Sequence, residues 1–107
     1  MILSTTPDVP GMRITRVLGL VRGNTIRARH VGKDVMAVLR NVAGGEVKEY
    51  TKMMAESREQ AIDRMLEEAQ ALDADAVVGI RFQTSMVMTA AAEMLCYGTA
   101  VKLEPLQ

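Results

Sequence analysis

The stretch Ala69-Gln70-Ala71-Leu72-Asp73-Ala74-Asp75-Ala76-Val77-Val78-Gly79-Ile80 constrains this chain more than any other. A long amphipathic helix ends in it and an apolar strand begins within a few residues. From Glu46 to Leu72, apolar residues fall at Val47, Tyr50, Met54, Ala61, Met65, Ala69 and Leu72. Spacings of three, four and seven place them on one stripe of a helix. Ser57 and Arg58 interrupt the stripe and suggest a small-residue contact. Lys52 with Glu56, and Arg64 with Glu68, are spaced as i,i+4 ion pairs, each contributing about 0.2–0.5 kcal/mol to a helix. A helix of about 27 residues spans about 40 Å, which is long for a chain of 107 residues and calls for a covering surface beyond one small sheet. The helix should stop near Asp73, where a left-handed residue closes the last turn. Gly serves best there, and Asp adopts the same conformation at a cost. Val77-Val78-Gly79-Ile80 then reads as a strand buried on both faces or nearly so.

The length predicts one domain, residues 1–107, with a modest core. The composition is 49% hydrophobic, yet it has two Tyr, one Phe, no Trp and nine Met. Small and flexible side chains must therefore fill the interior. No apolar run reaches the roughly 18–20 residues of a membrane span. The opening Met1-Ile2-Leu3-Ser4-Thr5-Thr6-Pro7 lacks the basic and apolar parts of a signal peptide. A single Cys excludes an internal disulfide framework and makes a reduced, cytoplasmic setting the simplest expectation. Net charge is zero but divided. Residues 1–45 carry seven Arg/Lys and two Asp, whereas residues 46–107 carry six Arg/Lys and eleven Asp/Glu. The halves can neutralise each other within one subunit or meet between neighbours, where complementary charge fixes orientation.

Along the chain, Arg13 to Gly23 reads as a first strand rich in Thr, Ile and Val. Gly19 within it suggests a bulge or a close backbone approach, and Thr25 to Arg29 extends the strand or pairs at an edge. Val31, Val35, Val38, Leu39 and Val42 mark a short helix, closed by Gly44-Gly45. After Ile80 the strand continues through Ser85. A last strand runs from about Glu93 to Leu103, with Met86 to Ala92 a candidate extension of both strands of a hairpin and Pro105 ending the ordered part. The order is β-α-α-β-β, an α+β domain with an antiparallel C-terminal hairpin.

The residues offer few chemical groups. A hard or borderline metal site needs clustered His, Cys, Asp or Glu, and the chain has one His and one Cys. A soft site is better represented. Met86 and Met88 share one strand face, and Met94 and Cys96 share one face of the next strand. A turn near Ala90-Ala91 would bring these four candidate ligands together for a Cu(I)-like ion. Alternating Met on strands more commonly fills a core or an interface, and that reading is preferred. His30, within Arg27-Ala28-Arg29-His30-Val31-Gly32-Lys33, suggests either an anion site near a helix start or, preferably, an exposed basic turn. Without interleaved aromatics or net basic charge, no nucleic-acid partner is expected. No nucleophile–base pair is legible. Cys96 lies in an apolar strand where a thiol is usually inert, and Asp73 and Asp75 are explained by helix stop and strand entry. The expectation is a non-enzyme without a cofactor. It either binds a small ligand or soft ion at subunit boundaries or serves as a structural module with no ligand.

Five pieces in order resemble the YbjQ-like family of small bacterial proteins, also called UPF0145 or DUF74. They are Ser4-Thr5-Thr6-Pro7, Gly19-Leu20-Val21-Arg22-Gly23, Gly44-Gly45 with Tyr50, Ala71 to Ile80, and Tyr97-Gly98-Thr99-Ala100-Val101. The family pattern usually has Gly where this chain has Asp73. The resemblance implies a two-layer, dodecin-like subunit, its antiparallel sheet packed by a long helix, assembled as a homopentameric ring. It also carries the family label of heavy-metal binding.

Overall fold

The structure is a computed structural model and describes residues 1–28, 48–88 and 91–106. The short helix expected over residues 31–42, His30 and the Gly44-Gly45 break lie outside the described residues. The elements are β1 (Ile2–Leu3), β2 (Met12–Ala28), α1 (Lys48–Ala71), β3 (Ala76–Met88) and β4 (Ala91–Pro105). They form one sheet in the order β1-β3-β4-β2, with α1 packed on it. β3 and β4 make the expected antiparallel hairpin, and β4 also pairs antiparallel with β2.

The sheet is mixed rather than antiparallel, because β1 runs parallel to β3, pairing Ile2 with Ala76 and Leu3 with Val77. Two residues carry no periodicity, so nothing local announced this strand. The backbone after it continues the attachment. Ser4 N donates to Val77 O at 2.9 Å, Ile80 N to Ser4 O at 3.0 Å and Gly79 N to Thr6 O at 2.9 Å. Gly79 takes φ +63°, and the β3–β4 register shifts between Val78 and Arg81. This bulge reverses which residues face the helix, so Val77 lies beneath α1 before it and Ile80 after it. The expected irregularity at Gly19 is also present, with φ +135° and a register shift between Val17 and Gly19.

Helix α1 places Ser57, Ala61, Met65 and Ala69 against the sheet, all buried. Ser57 thus continues the stripe that its polarity interrupts in the sequence. It is small enough to approach β2, and its carbonyl accepts a hydrogen bond from Thr25 Oγ1 at 3.2 Å. With Val21, Val77, Ile80, Met94, Cys96 and Ala100 the apolar members of this stripe form the main core. Gly23 lies directly beneath the helix. A Cβ built there falls 2.8 Å from Arg64 Cβ and closer still to Ala61 O and Met65 N, so hydrogen is the one side chain that fits. Ala76, Val78 and Val101 make a smaller core on the opposite face, flanked by Val9, Ile14 and Leu103.

The helix stop is as the sequence indicates. Asp73 has φ +58°. Its N–H donates to Gln70 O at 3.0 Å, and Ala74 N–H donates to Ala69 O at 3.1 Å. These two bonds are the Schellman pair that satisfies the last carbonyls of a helix. Asp73→Gly is expected to stabilise the fold by about 0.5–1 kcal/mol, because glycine relieves the left-handed strain. The lost ion pair to Lys102 at 3.4 Å is highly exposed and offsets little. A lower denaturation midpoint for Asp73→Gly would contradict this account.

The anticipated i,i+4 ion pairs along α1 are replaced by contacts to β2. Glu68 Oε1 accepts the backbone N–H of Arg22 at 3.1 Å, and Arg64 Nη1 donates to Asn24 O at 2.6 Å. Glu56 meets Arg27 at 3.4 Å, and Arg27 also donates to Gln60 Oε1 at 3.0 Å. An outer strand presents backbone groups that need partners. Long charged side chains above them satisfy those groups in preference to each other.

Candidate functional site

The β3–β4 register puts Phe82 opposite Cys96, Thr84 opposite Met94 and Met86 opposite Ala92. Directly opposed residues share a sheet face, so Met86, Met94 and Cys96 are all on the helix side. The helix covers them unequally. α1 covers β2 and β4 and makes few contacts with β3, which leaves the outer part of that face uncovered among the described residues. Met94 and Cys96 are buried at 7% and 0% exposure, whereas Met86 is 80% exposed. Within one subunit Met94 and Cys96 lie in the core, whereas no layer among the described residues covers Met86. Met88 pairs with Ala91, and the register shifts between it and Met86, which pairs with Ala92, so the simple alternation expected to give Met86 and Met88 one face does not hold through this irregularity.

Cys96 finds a different sulfur, one that the strand pattern did not suggest. Its Sγ donates to Met65 Sδ on α1 at 3.5 Å, and both residues are fully buried. Met94 Sδ accepts from Thr84 Oγ1 at 3.4 Å. Burial pushes the Cys96 thiol pKa up, which keeps it protonated, whereas a metal ligand must be the thiolate. Among the described residues no three His, Cys, Asp or Glu gather into a metal-binding group. The described residues therefore gather no hard or borderline ligand set. The Met65–Cys96 pairing has a faint sequence signal. Both positions fall on apolar stripes, but nothing in either stripe gives their relative register.

Asp73 and Asp75 are structural. Asp75 Oδ2 accepts Leu103 N–H at 2.8 Å and lies 3.6 Å from Lys102 Nζ through Oδ1. The Leu103 hydrogen bond, helped by Lys102, holds its carboxyl below the usual aspartate pKa. Lys102 Nζ also donates to Asp73 O at 2.7 Å. Together these contacts tie the α1–β3 turn to β4.

Beside β1 an apolar groove of about 180 Å³ is lined by Leu3, Ser4, Thr5, Ile62, Met65, Ile80 and Phe82. Arg81 Nη1 donates to Thr5 O at 2.8 Å and fixes one wall. On the sheet face away from α1, Leu20 and Ile26 are 64% and 59% exposed. Arg22 and Arg81 both lie opposite Tyr97 there. The outer surface of α1 is acidic, with Glu59, Asp63 and Glu67 exposed at four-residue spacing. None of the three has an ion-pair partner among the described residues. Among the described residues, no helix is long and apolar enough to cross a membrane.

Comparison with known proteins agrees with this architecture. The family model described as "Putative heavy-metal-binding" matches residues 1–104. A UPF0145 protein of Methanosarcina acetivorans is 58% identical over 103 residues, covering 96% of this chain and 97% of the relative. One from Methanoculleus marisnigri is 56% identical over 105 residues, covering 98% of each chain. One from Thermotoga maritima is 51% identical over 104 residues, covering 97% of this chain and 98% of the relative. With archaeal members, the family is wider than the bacterial one expected. A solved structure of a DUF74-family protein of unknown function from Pediococcus pentosaceus superposes with a TM-score of 0.67. It is 17% identical and covers 97% of this chain and 98% of its own, a likeness of fold. Neither the relatives' names nor that structure indicates a catalytic role. The chain belongs to the UPF0145 family, the YbjQ-like or DUF74 proteins, whose molecular function is not established.

Proposed function

We propose that this chain is a single-domain, non-catalytic, self-assembling protein of the cytoplasm whose copies close into a ring, five in number on the family resemblance. The observation that carries this reading is a mismatch of exposed surfaces within one subunit. The sheet face away from α1 leaves Leu20 and Ile26 in solvent beside Arg22. The outer surface of α1 offers the acidic row Glu59, Asp63 and Glu67. Two different surfaces with complementary charge suit a head-to-tail contact, and head-to-tail contacts close rings when their rotation permits. Leu20 and Ile26 supply apolar burial, and the charges fix orientation.

The test is native mass spectrometry of the wild type and of Glu59→Lys/Asp63→Lys/Glu67→Lys. We expect a ring mass for the wild type and subunits for the triple variant, with helix content retained. A wild-type monomer at micromolar concentration would defeat the reading. A second reading adds a small apolar ligand held at the subunit boundary, and the groove beside β1, with Phe82 43% exposed at its mouth, favours it. Soft-ion binding through Met86, Met88, Met94 and Cys96 has less support, since Met94 and Cys96 are buried in the core whereas Met86 is 80% exposed.

A further inference from the structure

Two surfaces of the subunit are left without a cover among the described residues, and they lie on opposite faces of the sheet. On the helix side, α1 rests on β2 and β4. The groove of about 180 Å³ beside Ile62, Ile80 and Phe82 is open there, and farther along β3 Met86 is exposed. On the other side, alternation turns a row of β2 residues away from the helix. Val21 and Thr25 are buried and Gly23 lies beneath α1. Leu20, Arg22, Asn24 and Ile26 therefore point outward, and all of them are exposed.

The two surfaces match in spacing, direction and charge. Leu20 to Ile26 covers as many positions of β2 as Ile80 to Met86 covers of β3, about 20 Å in each case. Neither run is broken. β2 keeps its register with β4 throughout the first, and the β3–β4 shifts fall before Arg81 and after Met86. β2 and β3 both run antiparallel to β4, so they point the same way. Rotation about an axis along the strands keeps that direction from one copy to the next. With the open sheet face of one copy laid over the helix side of its neighbour, Leu20 meets the groove at Ile80 and Ile26 meets Met86. Between them Arg22 falls over Phe82, a cation against an aromatic face, and Asn24 falls over Thr84. Glu59 is one turn from Ile62 on α1, which makes the outer rim of the groove acidic where Arg22 arrives. Neither Arg22 nor Glu59 has an ion-pair partner among the described residues.

The groove also suits its occupant in size. Its lining carries no charged side chain. An apolar space of this order holds a single hydrocarbon ring, so it takes one branched side chain and is too small for a lipid tail.

We propose that the groove beside β1 is a socket for a second copy of this chain, filled by Leu20 of the neighbour while the neighbour's Ile26 covers Met86. This contact rests on the head-to-tail ring reading and gives it its apolar half. Each copy is socket to one neighbour and plug to the other, so the pairing is heterologous, imposes no even count and is compatible with five copies. The groove is complete only when the next copy is in place.

The test crosslinks the full chain with a short bismaleimide under native conditions. Asn24→Cys and Thr84→Cys replace exposed polar residues between the two apolar seats and leave Leu20, Ile26, Phe82 and Met86 intact. We expect the double variant to give a ladder of linked chains on a denaturing gel. Each single variant should stay a single chain, because equivalent positions do not meet in a head-to-tail contact. The wild type, with buried Cys96, should do the same. Leu20→Lys should reduce the native mass to that of the subunit with circular dichroism unchanged. The wild-type ring should leave 1-anilinonaphthalene-8-sulfonate dark, since its grooves are filled. A wild-type ring mass with no ladder from the double variant would overturn the socket and leave the ring reading standing. A wild-type monomer would defeat both. Linked chains from either single variant, a Leu20→Lys variant that keeps the ring mass, or stoichiometric dye binding by the wild-type ring would each overturn the socket, the last by showing a groove free for a small ligand.

Discussion

Gly23→Ala is expected to destabilise the subunit by about 3 kcal/mol or more, at or beyond the upper end of ordinary overpacking. The added methyl collides with backbone, meeting Ala61 O and Met65 N of α1 as well as Arg64 Cβ. A helix backbone cannot rotate aside as a side chain does. α1 must lift from β2, and lifting it breaks the Glu68–Arg22 and Arg64–Asn24 contacts together. Gly98→Ala is the matched comparison. Its nearest obstruction is Val77 Cγ1 at 2.6 Å, followed by Val78 O at 3.0 Å, and a valine methyl can move by rotamer change. Urea denaturation of both variants should therefore show Gly23→Ala as the more damaging. Equal losses, or a Gly23→Ala midpoint close to wild type, would mean that the helix does not rest on this glycine.

Met65→Ala should cost about 2–5 kcal/mol, the range for truncating a large buried aliphatic side chain. Met65 is fully buried at the centre of the main core and accepts the Cys96 thiol. The truncation removes both the packed volume and the sulfur partner. Met65→Leu keeps the volume and loses only the sulfur, so it should cost under about 1.5 kcal/mol. Thermal or urea unfolding of the pair separates packing from the sulfur contact. If leucine proved as harmful as alanine, the thiol–thioether contact would outweigh the packing, and the assignment of these sulfurs to the core would need revision.

Much of the fold was legible because it rests on local periodicity. The α1 stripe, the stop at Asp73, the apolar entry into β3 and the C-terminal hairpin each follow from spacing or from one residue's φ preference. β1 was not legible, since two residues contain no period and their pairing partner lies more than seventy positions away. The candidate sulfur cluster was half legible. Alternation gave Met94 and Cys96 one face, but it did not foresee the register shift between Met86 and Met88 or how far along the sheet the helix reaches. That reach depends on where α1 crosses the sheet, which Gly23, Ser57 and Ala61 decide jointly by allowing a close approach.

The sequence by itself determined the types of α1, β2, β3 and β4, the family and the small number of His and Cys side chains, because these depend on residue identity and nearest neighbours. Tertiary structure alone decided which charges pair, which sulfur Cys96 meets and which strand lies at each edge of the sheet. Glu68 and Arg64 were spaced to bind each other. They turned instead to β2, whose unpaired N–H and carbonyl needed partners more than two solvated charges did. The register that brought α1 over β2 and β4 also left the β3 edge beyond Ile80 without a strand partner among the described residues. That is a property of long-range contacts, and no window of the chain contains it.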